Sequence, residues 1–364
     1  MFGMALQSWN WPSKWIWPVK GTGKARAAQQ KAMCKLEAVR RRVRRFWIMV
    51  QGTACLPFLC GMNERQSMWM LHFVVLIFGF TGILGREITL EAVPLVFWRV
   101  VIGGLGVWVW LLLRGKYRCM PPLLAARVAG VGLIAAAHWV TFFHAIKVSN
   151  VSVALATLAS APLFVGVIEP LVHRRPVSRR ELALGAVMVL GLCVLVDLPG
   201  WSGEGGAGSL DPSQRLAGVG YALVSAALAA TFSVFNSVLV RNTDAANLAR
   251  WELTAAALAL GGLLWMQSAG GETDVWRVSA RDAGWLLLLG WVATSFAFLM
   301  SIEVMRHVRP FTVAVAINME PVYAILFAAL LYREHEQMDA AFYAGAALLV
   351  GSVVADAWGR RTRS

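Results

Sequence analysis

From Met68 onward, apolar segments long enough to cross a bilayer recur ten times along the chain. They run over about 68–85, 90–113, 123–146, 150–172, 181–198, 216–240, 244–267, 284–305, 310–332 and 339–357. A hydrocarbon core about 30 Å thick takes roughly 20 helical residues to span. Backbone facing lipid must satisfy its own hydrogen bonds, and runs without strict alternation predict helices rather than a closed barrel. Short links between most of the runs predict helix hairpins. Composition points the same way. With 58% of residues hydrophobic and 15% charged, the chain is too apolar for a water-soluble fold, and a disordered or nucleic-acid-binding polymer does not account for its net charge of +14. The expected fold is all-α, a polytopic membrane protein of ten transmembrane helices.

Lys and Arg in the loops set the expected orientation. With the amino terminus in the cytoplasm, the inner loops and tail carry thirteen, from Arg114 to Arg363, and the outer loops carry six: Arg86, Lys147, Arg215, Arg277, Arg281 and Arg333. Twelve more lie within residues 1–67. Both termini are therefore expected in the cytoplasm. Tryptophans near helix ends, Trp69, Trp108, Trp110, Trp265, Trp285 and Trp358, fit an interfacial belt. Residues 1–67 stand outside the pattern as a basic leader. It reads as a membrane-surface arm, as a disordered tail, or as untranslated sequence ahead of a start at Met62 or Met68, the last two being favoured.

The spans contain a repeat. Ser160-Ala161-Pro162 is followed by Gly185 and Gly191, and Glu320-Pro321 at similar spacing by Gly345 and Gly351. Upstream, Trp98-Arg99 lines up with Trp251-Glu252. The expected organisation is a first five-helix repeat over 68–198, a Gly-rich outer loop over 199–215, a second repeat over 216–357 and a basic tail over 358–364. Five crossings per copy put the copies upside down relative to each other, an inverted repeat of the kind carriers use to alternate access.

Ionisable groups at membrane depth are costly, which makes each a functional candidate. Glu320 lies about ten residues into its span, near the midplane at about 1.5 Å per residue. Pro321 removes a backbone donor there and loosens the helix, with Asn318 close by. The alternative for Glu320 is a packing hydrogen bond between helices. Arg99 and Glu252 occupy equivalent places in the two copies. They meet if their helices start near Leu90 and Asp244, and lie too far apart if these start at Pro94 and Asn247, where snorkelling is the simpler reading. Arg99 is also suited to attract a carboxylate. His138 lines a cavity or bonds between helices. Thr81 and Asn236, in the opening helix of each copy, are weaker cavity candidates.

Other motifs carry no chemistry. Gly203-Glu204-Gly205-Gly206-Ala207-Gly208 matches G-x-G-x-x-G but lies in a loop between spans, without the strand and helix that make such glycines bind a dinucleotide. No Walker lysine motif, nucleophile elbow or H-E-x-x-H occurs, so no ATP hydrolysis and no catalytic residue is expected. His138 and His144 are spaced wrongly for a metal pair. The five cysteines form neither a disulfide framework nor a zinc pattern.

Three stretches carry a family resemblance: His72 through Gly85, Ala137-His138-Trp139 through Ala145-Ile146-Lys147, and Glu320-Pro321-Val322 followed by Glu334. Over about 68–357 the chain resembles the EamA-type transporters of the drug/metabolite transporter superfamily. It departs from them at His173-Arg174-Arg175, where the family often has a Gly-Glu pair. The resemblance implies a multi-pass bacterial inner-membrane carrier of small metabolites, often an exporter, with a cavity between the halves. Expected partners are a small-molecule substrate and the lipid bilayer, with a proton or ion gradient as driving force, no nucleic acid, no metal and no cofactor; oligomeric state stays open. An integral-membrane enzyme or a non-transporting scaffold is the alternative.

Overall fold

The computed structural model describes residues 62–117, 119–195, 211–241, 243–271, 276–320, 322–323, 327 and 340–361. Expectations for residues 1–61, for the Gly203–Gly208 motif, for Pro321 and for Glu334 fall outside the described residues.

Helix α1 (Glu64–Glu87) begins ahead of the apolar onset at Met68, because its first turn is built for capping rather than burial. Asn63 Oδ1 accepts from the Gln66 backbone N–H at 2.8 Å, and Gln66 Oε1 accepts from the Asn63 N–H at 3.0 Å. Helix α2 (Ala92–Arg114) ends on Gly115 in the left-handed conformation, φ 58°. Helix α3 (Pro122–Val148) opens on a proline whose missing N–H would be unbonded there anyway. The fourth apolar run, read from sequence as one span over 150–172, is two helices, α4 (Val151–Leu158) and α5 (Ala161–His173), broken at Ala159 and Ser160. Pro162 explains the break: its ring excludes a continuous helix through the preceding turn.

The remaining elements are α6 (Arg179–Leu195), α7 (Pro212–Leu239), α8 (Ala245–Ala269), α9 (Ala280–Val304), α10 (Pro310–Ile317) and α11 (Ala340–Arg361). Within α9, residues Leu289–Phe298 wind as a π-helix. Helix α10 is interrupted at Asn318 and Met319, and Glu320, Val322, Tyr323 and Phe327 are helical again within the span expected over 310–332. No strand occurs among the described residues, so the fold is all-α. Among the described residues, five helices, α1, α2, α3, α7 and α9, are long and apolar enough to cross a membrane. Helix α8 is long as well but is diluted by Arg250 and Glu252.

The most extensive contacts run between the two copies: α3 lies on α7 and α8, α2 on α8, and α6 on α11. Two glycines show how close the approach is. A Cβ on Gly132 of α3 would collide with the Glu252 carbonyl oxygen, so backbone rests on backbone. A Cβ on Gly191 of α6 would stand 2.8 Å from Leu348 Cβ and 3.4 Å from the Gly345 carbonyl oxygen. Two glycines that mark the repeat in sequence thus meet at one seam.

Polar contacts tie the bundle at both ends. At one end, Asp282 at the start of α9 accepts from the Thr89 N–H at 2.9 Å and from Thr89 Oγ1 at 2.6 Å, and Lys147 Nζ donates to the Ile88 carbonyl at 2.7 Å. At the other, Arg309 reaches from the start of α10 to Glu169 on α5 and Glu181 on α6.

Candidate functional site

Between these ends lies a cavity of about 120 Å³. Its walls are mostly Phe, Leu, Ala and Val, with a few polar groups: Thr81 from α1, Arg99 from α2, His138 from α3, Ser233 from α7, Ser301 from α9, and Asn318 and Glu320 just beyond α10. Five of the seven residues singled out by sequence therefore converge on one space. An apolar pocket with few polar groups is the usual form of a small-molecule site.

Arg99 is buried, at 4% exposure, and does not snorkel. Its Nε donates to Thr294 Oγ1 at 2.9 Å, and its Cζ lies 4.5 Å above the Trp139 ring and 5.7 Å from that of Phe143. Thr294 takes this position because of the π-helix, in which its own hydroxyl donates five residues back to the Leu289 carbonyl at 3.0 Å. π-Helical winding inside an α-helix is rare and is frequent at functional sites. Glu320, also buried, lies close enough to Arg99 for their charges to interact, and it lines the cavity together with Thr81. The Thr81 hydroxyl is also 2.7 Å from the Phe78 carbonyl.

His138 has a packing bond as well as a cavity wall. Its Nδ1 lies 3.0 Å from the Ser225 carbonyl and 2.8 Å from Ser225 Oγ, tying α3 to α7. Since a carbonyl only accepts, Nδ1 carries the hydrogen and Nε2 is left as the acceptor. Asn318 spans the copies: its Nδ2 donates to the Ala159 carbonyl at 3.1 Å, joining the end of α10 to the break between α4 and α5.

Glu252 and Asn236 are outside this cavity. Asn236 Nδ2 donates to Glu252 Oε2 at 3.4 Å, between α7 and α8. The pairing of Arg99 with Glu252 that an earlier helix start would allow does not form. Their helices begin at Ala92 and Ala245, between the two registers considered, and each side chain has found another partner.

Sequence reasoning passed over Thr294, Ser225 and the charged cluster at the Arg309 end. There Glu169, at 4% side-chain exposure, accepts from Arg309 Nε and Nη2, both at 3.1 Å, and from the Phe311 N–H at 3.3 Å. Glu181 accepts from Arg309 Nη2 at 2.9 Å and from Arg175 Nη2 at 2.8 Å. Burial works against the Arg309 charge, but Glu169 and Glu181 outweigh it and hold the guanidinium above its ordinary pKa. Glu169, an acid inside an apolar run and followed by Pro170, was the signal that could have found this cluster.

Among the described residues, no group of three or more His, Cys, Asp or Glu is placed to hold a metal. Comparison with known proteins matches residues 66–197 and 216–355 to the pattern of the EamA-like transporter family. A crystal structure of another protein, 18% identical, superposes with a TM-score of 0.63 over 80% of this chain and 97% of that one, which shows a shared fold. No curated relative matches the sequence. Matched once in each of its two copies, and built of apolar helices around a small central cavity, this multi-pass membrane protein belongs to the EamA-like transporter family.

Proposed function

We propose that the chain is a secondary carrier that exports small metabolites across the bacterial inner membrane. In this reading ten helices form two inverted five-helix repeats, over 68–198 and 216–357, with both termini in the cytoplasm as the Lys and Arg distribution favours. The observation that carries the reading is the burial of Arg99 and Glu320 together in one apolar cavity, beside two helix breaks that touch through Asn318 and Ala159. Charges are costly at that depth, and those retained there mark substrate or ion pathways by default.

Arg99 supplies a fixed cation for a carboxylate-bearing cargo. Glu320, Thr81, Asn318 and His138 offer hydrogen bonds around it, and the aromatic walls take the apolar part. Access alternates as the Arg309 cluster and the Asp282–Thr89 contact open in turn, so that water reaches the cavity from one side at a time. A gradient drives the cycle.

The test compares metabolites in the medium of cells overproducing the chain, cells lacking it and cells carrying Glu320→Gln. Accumulation of a compound that depends on the chain, and that Glu320→Gln reduces while the protein stays in the membrane, is the expected result. Identical media across all three strains would overturn the export reading, and export untouched by Glu320→Gln would reduce Glu320 to packing.

A further inference from the structure

Glu252 of α8 and Asn236 of α7 form a closed polar pair away from the central cavity. Both side chains are fully enclosed, at 1% and 0% exposure, and they share one hydrogen bond, Asn236 Nδ2 to Glu252 Oε2. The two remaining oxygens, Glu252 Oε1 and Asn236 Oδ1, are buried with no donor. A carboxylate facing an amide would leave both acceptors unmet, and buried unmet polar groups are rare because each costs its full desolvation.

None of the charged groups on the helices packed around the pair bonds to it. On α2, Arg99 is bonded to Thr294 and stacked on Trp139. On α8, Arg250 lies among the rings of Trp108, Tyr117 and Trp251. On α3, His138 is held by Ser225 of α7. On α9 and just beyond it, Glu303 pairs with Arg306 at 3.0 Å. Arg127 of α3 and Arg241 at the end of α7 are exposed or near helix ends. A metal cation fits poorly, since hard cations take several oxygen ligands, whereas only two oxygens here lack a partner and the carbonyls inside α7 and α8 serve their own helices.

We propose that Glu252 and Asn236 form a proton-binding site separate from the central cavity, in which a neutral carboxyl donates from Oε1 to Asn236 Oδ1 while Asn236 Nδ2 donates to Oε2. One proton supplies the donor that both orphan oxygens need. The resulting acid–amide pair is neutral, and an exchange of that proton with water requires α7 and α8 to part at this point. The site stands independently of which cargo the central cavity takes.

Infrared spectra of the full chain reconstituted in vesicles, in H₂O and D₂O at neutral pH, test this without any cargo. Subtracting the Glu252→Gln spectrum from that of the unaltered protein should leave a carboxylic-acid carbonyl band that moves down in D₂O. Asn236→Ala should move the same band up, because the carbonyl oxygen Oε2 loses its donor. Glu252→Gln should melt close to the unaltered protein, since its amide N–H replaces the acid O–H, whereas Glu252→Ala should melt earlier. A carboxylate signature in place of the acid band would overturn the proposal. So would a Glu252→Gln protein that fails to fold, or a stabilisation by Na⁺, K⁺ or Li⁺ that disappears in Glu252→Gln, which would mark a cation site instead.

Discussion

Asn318 Nδ2, at the end of α10, donates to the carbonyl oxygen of Ala159, at the break between α4 and α5. Each copy thus interrupts a helix at the corresponding place, and one interruption supplies the donor that the other's free carbonyl needs. Irregular backbone at membrane depth is tolerated only where protein or a cavity covers it, and here the two irregular stretches cover each other.

Asn318→Ala should therefore act on both copies at once. It removes a buried donor and leaves the Ala159 carbonyl unmet, at a cost of about 1–3 kcal/mol. Thermal unfolding in detergent should show the loss. An unchanged melting temperature would mean that the contact does not hold the breaks together.

Thr294→Val removes the acceptor for Arg99 Nε and keeps the shape of the side chain. A hydrogen bond to a charged group contributes about 1.5–3 kcal/mol, so the variant should unfold earlier by that amount. Thr294→Ser, which keeps the hydroxyl, should recover most of it. Comparing the two variants by thermal unfolding separates the bond from the packing of the methyl group.

Gly132 and Gly130 provide a matched pair on one helix. An Ala at 132 pushes its Cβ into the Glu252 backbone, forcing α3 and α8 apart at a cost of about 1–3 kcal/mol. An Ala at 130 meets nothing within 4 Å, and should be neutral or stabilise by up to about 1 kcal/mol through helix propensity. Melting temperatures moving in the same direction by similar amounts would contradict this packing.

Arg309→Ala leaves Glu169 and Glu181 with Arg175 as their remaining cation, and should destabilise by about 1–3 kcal/mol, discounted for the partial exposure of Arg309. The sign of its pH dependence follows from the raised guanidinium pKa. A raised basic pKa contributes stability that is complete below the ordinary guanidinium value and is lost only as pH climbs through the higher folded value. Arg309 itself therefore contributes equally at about pH 6 and about pH 9. Denaturant unfolding of the unaltered and variant proteins at both values should give the same difference in its guanidinium part, and a difference that vanishes at about pH 9 would place the titration elsewhere.

What was legible in the sequence follows from how strongly each feature is forced. Apolar runs show where helices lie because lipid permits no other way to satisfy the backbone, and Pro162 lies at the break it helps cause. Arg99 and Glu320 stand out because a charge in such a run is expensive. Thr294 was not legible: a threonine in an apolar helix is ordinary, and only the π-helical turn of α9 aims it at Arg99. The partners of Glu252 were equally hidden. Its repeat equivalence to Arg99 invited a pairing, whereas the fold places each beside a neighbour that no spacing rule connects to it. Arg309 looked like one more loop cation, and its contacts with Glu169 and Glu181 join positions 140 and 128 residues apart in the chain.

Because α2 and α3 find their broadest neighbours in α7 and α8, and α6 finds its own in α11, neither repeat is a self-sufficient body. Each leaves uncovered the faces that only its sibling fits. Produced on its own, either half would expose apolar flanks that lipid or a second polypeptide must then shield, so the two halves are expected to fold as one unit rather than in succession.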